Sequence, residues 1–105
     1  LSKTLVVVLS EFGRTPRIND SGGRDHWARC FSCMMAGGGI KGGSIVGASD
    51  DDGMAPAERP VKVSDLHASL CHALGISLSK ELYTPQGRPV RLIRKEAEPI
   101  RELFI

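Results

Sequence analysis

TLVVVL at residues 4–9 runs directly into SEFGRTP at residues 10–16. An unbroken run of β-branched residues and leucine is typical of a strand that is buried on both faces, as in a parallel sheet flanked by helices. Gly13 and Pro16 end regular structure immediately after it. Because ligands of open α/β sheets bind beyond the carboxyl ends of the strands, the polar side chains at residues 10–14 are predicted to lie at a site.

Later segments continue this pattern. Residues 64–74 predict a helix with Ser64 as its N-cap, one apolar stripe, and Gly75 as the residue that ends it. The other expected elements are a buried strand at 31–36, a glycine-rich turn at 37–43, short strands at 44–47 and 90–93, an exposed loop at 48–60 and a short helix at 99–104. Buried-type strands followed by a helix predict the α/β class.

Size and charge limit the possible functions. The chain has 105 residues, 41% of them hydrophobic, and a formal net charge of +2. Its composition is that of a globular protein, and the balanced charge excludes a strongly basic nucleic-acid binder. No apolar run approaches the roughly 20 residues of a membrane span. Since the sequence opens directly before a buried-type strand, we expect residues 1–105 to be the C-terminal portion of one domain that packs on the remainder of a parent chain.

The exit of the first strand is one candidate site. Glu11 offers carboxylate oxygens, which are hard ligands for a metal ion, at the place where α/β folds bind metals and anions. Arg14 has the fork geometry that holds a phosphate- or sulfate-like group through two hydrogen bonds. The alternative is a solvated Glu11–Arg14 pair on a turn.

GRDHW at residues 23–27 is a second candidate. The neutral imidazole of His26 is a good ligand for zinc-like metals, and a carboxylate such as that of Asp25 can orient it. Arg24 adds a second cation for an anionic substrate. The alternative is that His26 bonds locally within its loop while Trp27 anchors the loop to the core.

Cys30 and Cys33 have C-x-x-C spacing, which also occurs in redox and zinc sites. Cys33 lies in an apolar run and Cys71 on the apolar stripe of the predicted helix, so we expect buried, hydrophobe-like cysteines. A small redox or zinc module that uses Cys30 and Cys33 is a further alternative.

Three motifs in this order, SEFGRTP at 10–16, GRDHW at 23–27 and AGGGIKGG at 36–43, resemble the C-terminal part of the bacterial domain-of-unknown-function family 1501. The resemblance extends from about residue 4 to residue 103. That family is similar in fold to the alkaline phosphatase and sulfatase superfamily, which implies an α/β three-layer sandwich with a mixed, mostly parallel sheet. In that superfamily a metal-binding turn stands where Glu11 is, and a metal- or anion-contacting histidine stands where His26 is.

The resemblance implies a metal-dependent hydrolase of phosphate or sulfate esters. Glu11 and His26 would then bind a divalent metal (Zn, Ca, Mg or Mn), and Arg14, Arg24 and Asp25 would lie at or behind a small anionic ester. The nucleophile is expected upstream, so residues 1–105 alone are predicted to be inactive. They are also predicted to be marginally stable, because a fragment of this size would leave a sheet edge and an apolar face exposed.

Phe12 departs from the superfamily pattern, which has a histidine or asparagine ligand at this position. Phenylalanine cannot coordinate a metal, so a second hypothesis stays open. The protein would then be a non-catalytic binding or cell-envelope protein that keeps the fold without the metal site. The resemblance also implies a location in the periplasm or cell envelope.

Overall fold

The chain folds into four separate two-stranded sheets and one α-helix. A computed structural model describes all of residues 1–105. The elements in chain order are β1 (Leu5–Val8), β2 (Gly13–Arg14), β3 (His26–Trp27), β4 (Met34–Gly37), β5 (Ala48–Ser49), β6 (Pro56–Glu58), α1 (Val63–Ala73), β7 (Glu81–Tyr83), β8 (Pro89–Arg91) and a 3₁₀ turn at Arg101–Leu103. None of the helices has the length and apolarity needed to cross a membrane.

The predicted α/β sandwich with a mostly parallel sheet is wrong. All four strand pairs, β1–β4, β2–β3, β5–β6 and β7–β8, are antiparallel. β1 begins and ends within one residue of the predicted strand, but Val6 and Val8 are 43% and 55% exposed, so it is not buried on both faces. The apolar run at residues 4–9 identified a strand, but such a run does not specify which partner the strand takes or in which direction.

The other predicted elements differ in detail. The second strand starts at Met34 rather than Phe31, and the segment predicted to be an exposed loop contains β5 and β6. No strand forms at residues 44–47, and the expected terminal helix is only the 3₁₀ turn. Each of these strands has at most four residues, too few for a periodic pattern to show in the sequence.

Helix α1 was predicted almost to the residue. Its amino-terminal cap is Lys62 rather than Ser64, and no side chain caps it. Its carboxyl end is as predicted, because Gly75 takes a φ of +73° and the Ile76 amide donates to the Cys71 carbonyl over 2.9 Å. A backbone in the left-handed region is easiest for glycine, which explains the position of Gly75.

A small core forms where α1 meets the C-terminal segment. Only six of the 105 residues are buried. Ala68 and Cys71 of α1 pack with Ile93 and Ala97, and partly buried apolar side chains surround them. The radius of gyration is 16.5 Å, against about 13 Å for a compact domain of this length. The chain is therefore extended, and its ribbons project from a small helical core.

Candidate functional site

β2 and β3 bring the two candidate segments together. Gly13 pairs with Trp27 and Arg14 pairs with His26 in one antiparallel ladder. The SEFGR and GRDHW segments, separated by a polar loop in the sequence, therefore form one corner of the molecule. Sequence reasoning missed this pairing, because strands of two residues carry no periodicity.

Two arginines cross-link the corner through backbone carbonyls. Arg14 donates from Nη1 to the Arg24 carbonyl over 3.0 Å, and Arg24 donates from Nη1 to the carbonyls of Thr15 and Pro16. Neither guanidinium has an acidic partner, and the Nε and Nη2 groups of both are without a protein acceptor. Those two groups form the edge of a guanidinium that binds phosphate or carboxylate bidentately.

Phe12 covers one face of the His26 ring. The two ring centroids are 3.9 Å apart, and the planes are tilted by 30°. The Arg14 guanidinium lies 5.7 Å from the centroid of the same Phe12 ring, within the range of a cation–π contact. Phe12 is thus near both the imidazole and the guanidinium, a role that its sequence position alone did not indicate.

Glu11 lies next to this stack but is not tied into it. It directly precedes Phe12, is exposed, and forms neither a hydrogen bond nor an ion pair with another side chain. Ser10 donates from Oγ to the Phe12 carbonyl over 2.8 Å and so shapes the turn. The corner therefore presents a free carboxylate one residue away from the Phe12–His26 stack.

Asp25 does not orient His26 in this structure. Its Oδ1 accepts a hydrogen bond from Nδ2 of Asn19 over 3.0 Å, and its amide donates to Oγ1 of Thr15. Oδ1 of Asn19 in turn accepts the amides of Ser21 and Gly23. Asp25 therefore helps to hold the polar loop at residues 17–24 in place.

Trp27 fixes the other side of the corner. Its Nε1 donates to the Met54 carbonyl over 2.7 Å, which ties β3 to the loop between β5 and β6. The Met54 amide donates to Oδ1 of Asp50 over 2.8 Å, so that loop is itself closed. Trp27 thus anchors its segment, as the alternative interpretation of GRDHW expected, and it does so through the Met54 carbonyl.

Glu11 and His26 supply donor types that suit a divalent metal. No three histidine, cysteine, aspartate or glutamate side chains lie close enough together to hold an ion. A catalytic zinc takes three protein ligands and a structural zinc takes four. A metal at this corner would therefore need at least one ligand from another segment.

The three cysteines are free thiols in different surroundings. Cys71 is buried as expected, Cys30 is partly buried, and Cys33 is exposed, which contradicts the expectation of three buried cysteines. Partial desolvation of the sulfur by its surroundings nevertheless raises the pKa of the Cys33 thiol. Because the thiolate is the reactive form, this direction works against a redox role for the C-x-x-C pair.

Residues 1–105 thus combine antiparallel ribbons and one helix with a corner that brings together two exposed arginines and a histidine. Residues 1–104 match the family described as "Protein of unknown function (DUF1501)", and the chain belongs to that family. The family resemblance predicted from the three motifs is confirmed. No match was found among curated proteins or among solved structures.

Proposed function

We propose that the corner formed by β2 and β3 binds the anionic group of a phosphate or sulfate ester in a hydrolase. The observation that carries the proposal is the pairing of Arg14 with His26 in one ladder, which puts a residue with a free guanidinium edge directly across from a residue with an exposed imidazole. The order of the SEFGR, GRDHW and AGGGIKGG motifs supports it, because it resembles that of the alkaline phosphatase and sulfatase superfamily.

The corner residues would bind and orient the ester. Nε and Nη2 of Arg14 and of Arg24 would donate to the non-bridging oxygens, which are the natural acceptors of a guanidinium fork. His26, held by Phe12, would donate a hydrogen bond to the same anion or to the leaving oxygen. The nucleophile would come from outside residues 1–105, and so would any further ligand of a divalent metal bound with Glu11.

The test is hydrolysis of 4-nitrophenyl phosphate and 4-nitrophenyl sulfate by the intact protein. Arg14→Lys keeps the charge but removes the bidentate edge, and His26→Ala removes the imidazole. Each variant is expected to lower kcat/KM by about tenfold to a hundredfold, the usual loss when a hydrogen bond to a charged group is removed. The preferred ester distinguishes a phosphatase from a sulfatase.

Matched controls are Arg88→Lys and His67→Ala, since both residues are exposed and lie in other elements. Their kcat/KM values should stay within about twofold of wild type, as for surface substitutions away from a site. Wild-type rates in Arg14→Lys and His26→Ala would contradict the proposal.

A non-catalytic anion-binding protein is the second candidate. The Phe12–His26 stack favours it, because an aromatic ring occupies one face of the imidazole at the position where a ligand was expected. This candidate predicts that the intact protein binds phosphate or sulfate in calorimetry, lacks stoichiometric Zn, Ca, Mg or Mn, and does not turn over either ester. Stoichiometric metal together with Arg14-dependent turnover would contradict it.

A further inference from the structure

An apolar groove opens between the β1–β4 ribbon and the start of α1. Its volume is about 760 Å³. Six large apolar side chains that line it are each more than a third exposed. They are Leu9 (51%), Phe31 (37%), Met34 (64%), Ile45 (92%), Val61 (39%) and Val63 (71%). Single exposed apolar residues are ordinary, but a contiguous set along one groove marks an interaction surface.

The charge around this groove is strongly one-sided. Four basic side chains line it, those of Arg29, Lys41, Arg59 and Lys62, against the single acidic side chain of Glu58. Arg59 forms the chain's ion pair, with Glu102 outside the groove, so the other three cations have no acidic partner. Complementary potentials favour an acidic occupant and oppose a basic one.

The chain as a whole exposes more surface than its mass predicts. The chain exposes 8008 Å², whereas a complete globular protein of its mass, 11.3 kDa, exposes about 5,700 Å². The excess of about 2,300 Å² is distributed over the whole chain, and it is larger than the roughly 800 Å² that each partner buries in a standard interface. Both outer edges of the β1–β4 ribbon are also unpaired, and such edges accept a further segment.

We propose that this groove binds a polypeptide segment from outside residues 1–105 that combines acidic and apolar side chains. The apolar side chains fill the space along β4 and the start of α1, and the carboxylates meet Arg29, Lys41 and Lys62. A second copy of this chain is a poor occupant, because its net charge is also positive and two grooves face to face would oppose the same cations. The proposal is independent of ester hydrolysis.

Site-specific photo-crosslinking in cells tests the proposal. p-Benzoylphenylalanine replaces Ile45 or Met34 in the intact protein, and the crosslinked peptide is sequenced by mass spectrometry after purification. Both positions are expected to capture the same peptide, rich in apolar residues and with more acidic than basic side chains. The matched control is Tyr83, which is 67% exposed and lies outside the groove, and it should not capture that peptide.

Charge reversal supplies the second readout. Lys41→Glu combined with Lys62→Glu should lower the crosslink yield from Ile45 by about twofold to fivefold, the usual range for exposed charge pairs. Arg88→Glu combined with Arg94→Glu, on exposed residues outside the groove, should leave the yield unchanged. Crosslinks to residues 1–105 of a second copy, a peptide without acidic excess, no crosslink, or a yield insensitive to Lys41 and Lys62 would each overturn the proposal.

Discussion

Gly13 lies in β2 where a side chain would collide with the segment that follows β3. A Cβ at this position would come 2.6 Å from the Cys30 carbonyl oxygen and 2.7 Å from Cβ of Phe31, closer than real Cβ atoms approach. The absence of a side chain at Gly13 therefore lets β2 pair with β3 and sets Arg14 beside His26. The position is a steric requirement of the corner rather than a turn signal.

Gly13→Ala is expected to lower the free energy of unfolding of the intact protein by about 1–3 kcal/mol, because it overpacks a filled space. Gly23→Ala is the matched control in the same corner, since its nearest atoms are the Asn19 amide group at an ordinary 3.8 Å. That variant should stay within about 0.5 kcal/mol of wild type. Denaturant unfolding measures both, and equal effects would contradict the β2–β3 geometry.

The Arg59–Glu102 pair makes one local interaction depend on pH. Nε and Nη2 of Arg59 donate to the two Glu102 oxygens over 2.6 and 3.1 Å. These hydrogen bonds are the main cause of the lowering of the Glu102 pKa from 4.5 to about 2. A lowered carboxyl pKa means that this contribution to stability is present above pH 4.5 and is lost as the pH falls from there towards about 2.

An NMR titration of the Glu102 carboxyl group should therefore give a pKa well below 4.5 in the wild type. In Arg59→Gln the bidentate partner is gone, and the pKa of Glu102 should return towards its ordinary value. Glu96, an exposed glutamate without an ion pair, is the internal reference in the same spectra. Identical Glu102 titration curves in the two proteins would show that the pair does not form in solution.

At the scale of the elements, α1 is joined to the C-terminal segment by two polar contacts. Buried Ser69 donates from Oγ to the Asp65 carbonyl over 2.7 Å and accepts the Ile100 amide over 2.8 Å. Oδ1 of Asp65 accepts the Glu98 amide over 3.0 Å. These bonds satisfy backbone groups of the segment that closes the small core.

Ser69→Ala should lower the free energy of unfolding by about 1–3 kcal/mol, because the buried Ile100 amide loses its acceptor. Ser64→Ala is the matched control on the same helix. Ser64 looks like an N-cap in the sequence, but no side chain caps α1, so its removal should change stability by less than about 0.5 kcal/mol. If Ser64→Ala lowered the free energy of unfolding more than Ser69→Ala does, the result would instead support Ser64 as the N-cap of α1, as predicted from the sequence.

Patterns within a short stretch of sequence correctly predicted the elements whose formation depends mainly on residues close together in the chain. The α1 pattern, with its closing Gly75, and the apolar run of β1 were located within one residue. Strand pairing depends on residues far apart in the chain, such as Val8 and Met34, and no local pattern encodes it. The same holds for the candidate site. The motifs identified its residue types, but the contact between Phe12 and His26, which are far apart in the chain, was not predicted.

At the scale of the whole molecule, one polar corner and one apolar groove occupy different parts of an extended chain. The corner contains the residues that suit an anionic ester, and the groove has exposed apolar side chains and cations that suit an acidic segment. The parallel sheet expected from the sequence is replaced by separate antiparallel ribbons, which leave both surfaces open. The proposed ester chemistry and the proposed docking can therefore be tested separately by substitution.

Joint action of Arg14 and His26 on one substrate is the central claim, and a double-mutant cycle on kcat/KM tests it most directly. Residues that contact the same group in a shared site couple, whereas distant residues act independently. The test uses the intact protein and its preferred 4-nitrophenyl ester. The fold-decrease in kcat/KM of the double variant, Arg14→Lys with His26→Ala, should be clearly smaller than the product of the fold-decreases of the two single variants. A double-variant decrease equal to the product of the two single decreases would contradict a shared site at this corner. Single variants with wild-type kcat/KM would contradict it as well.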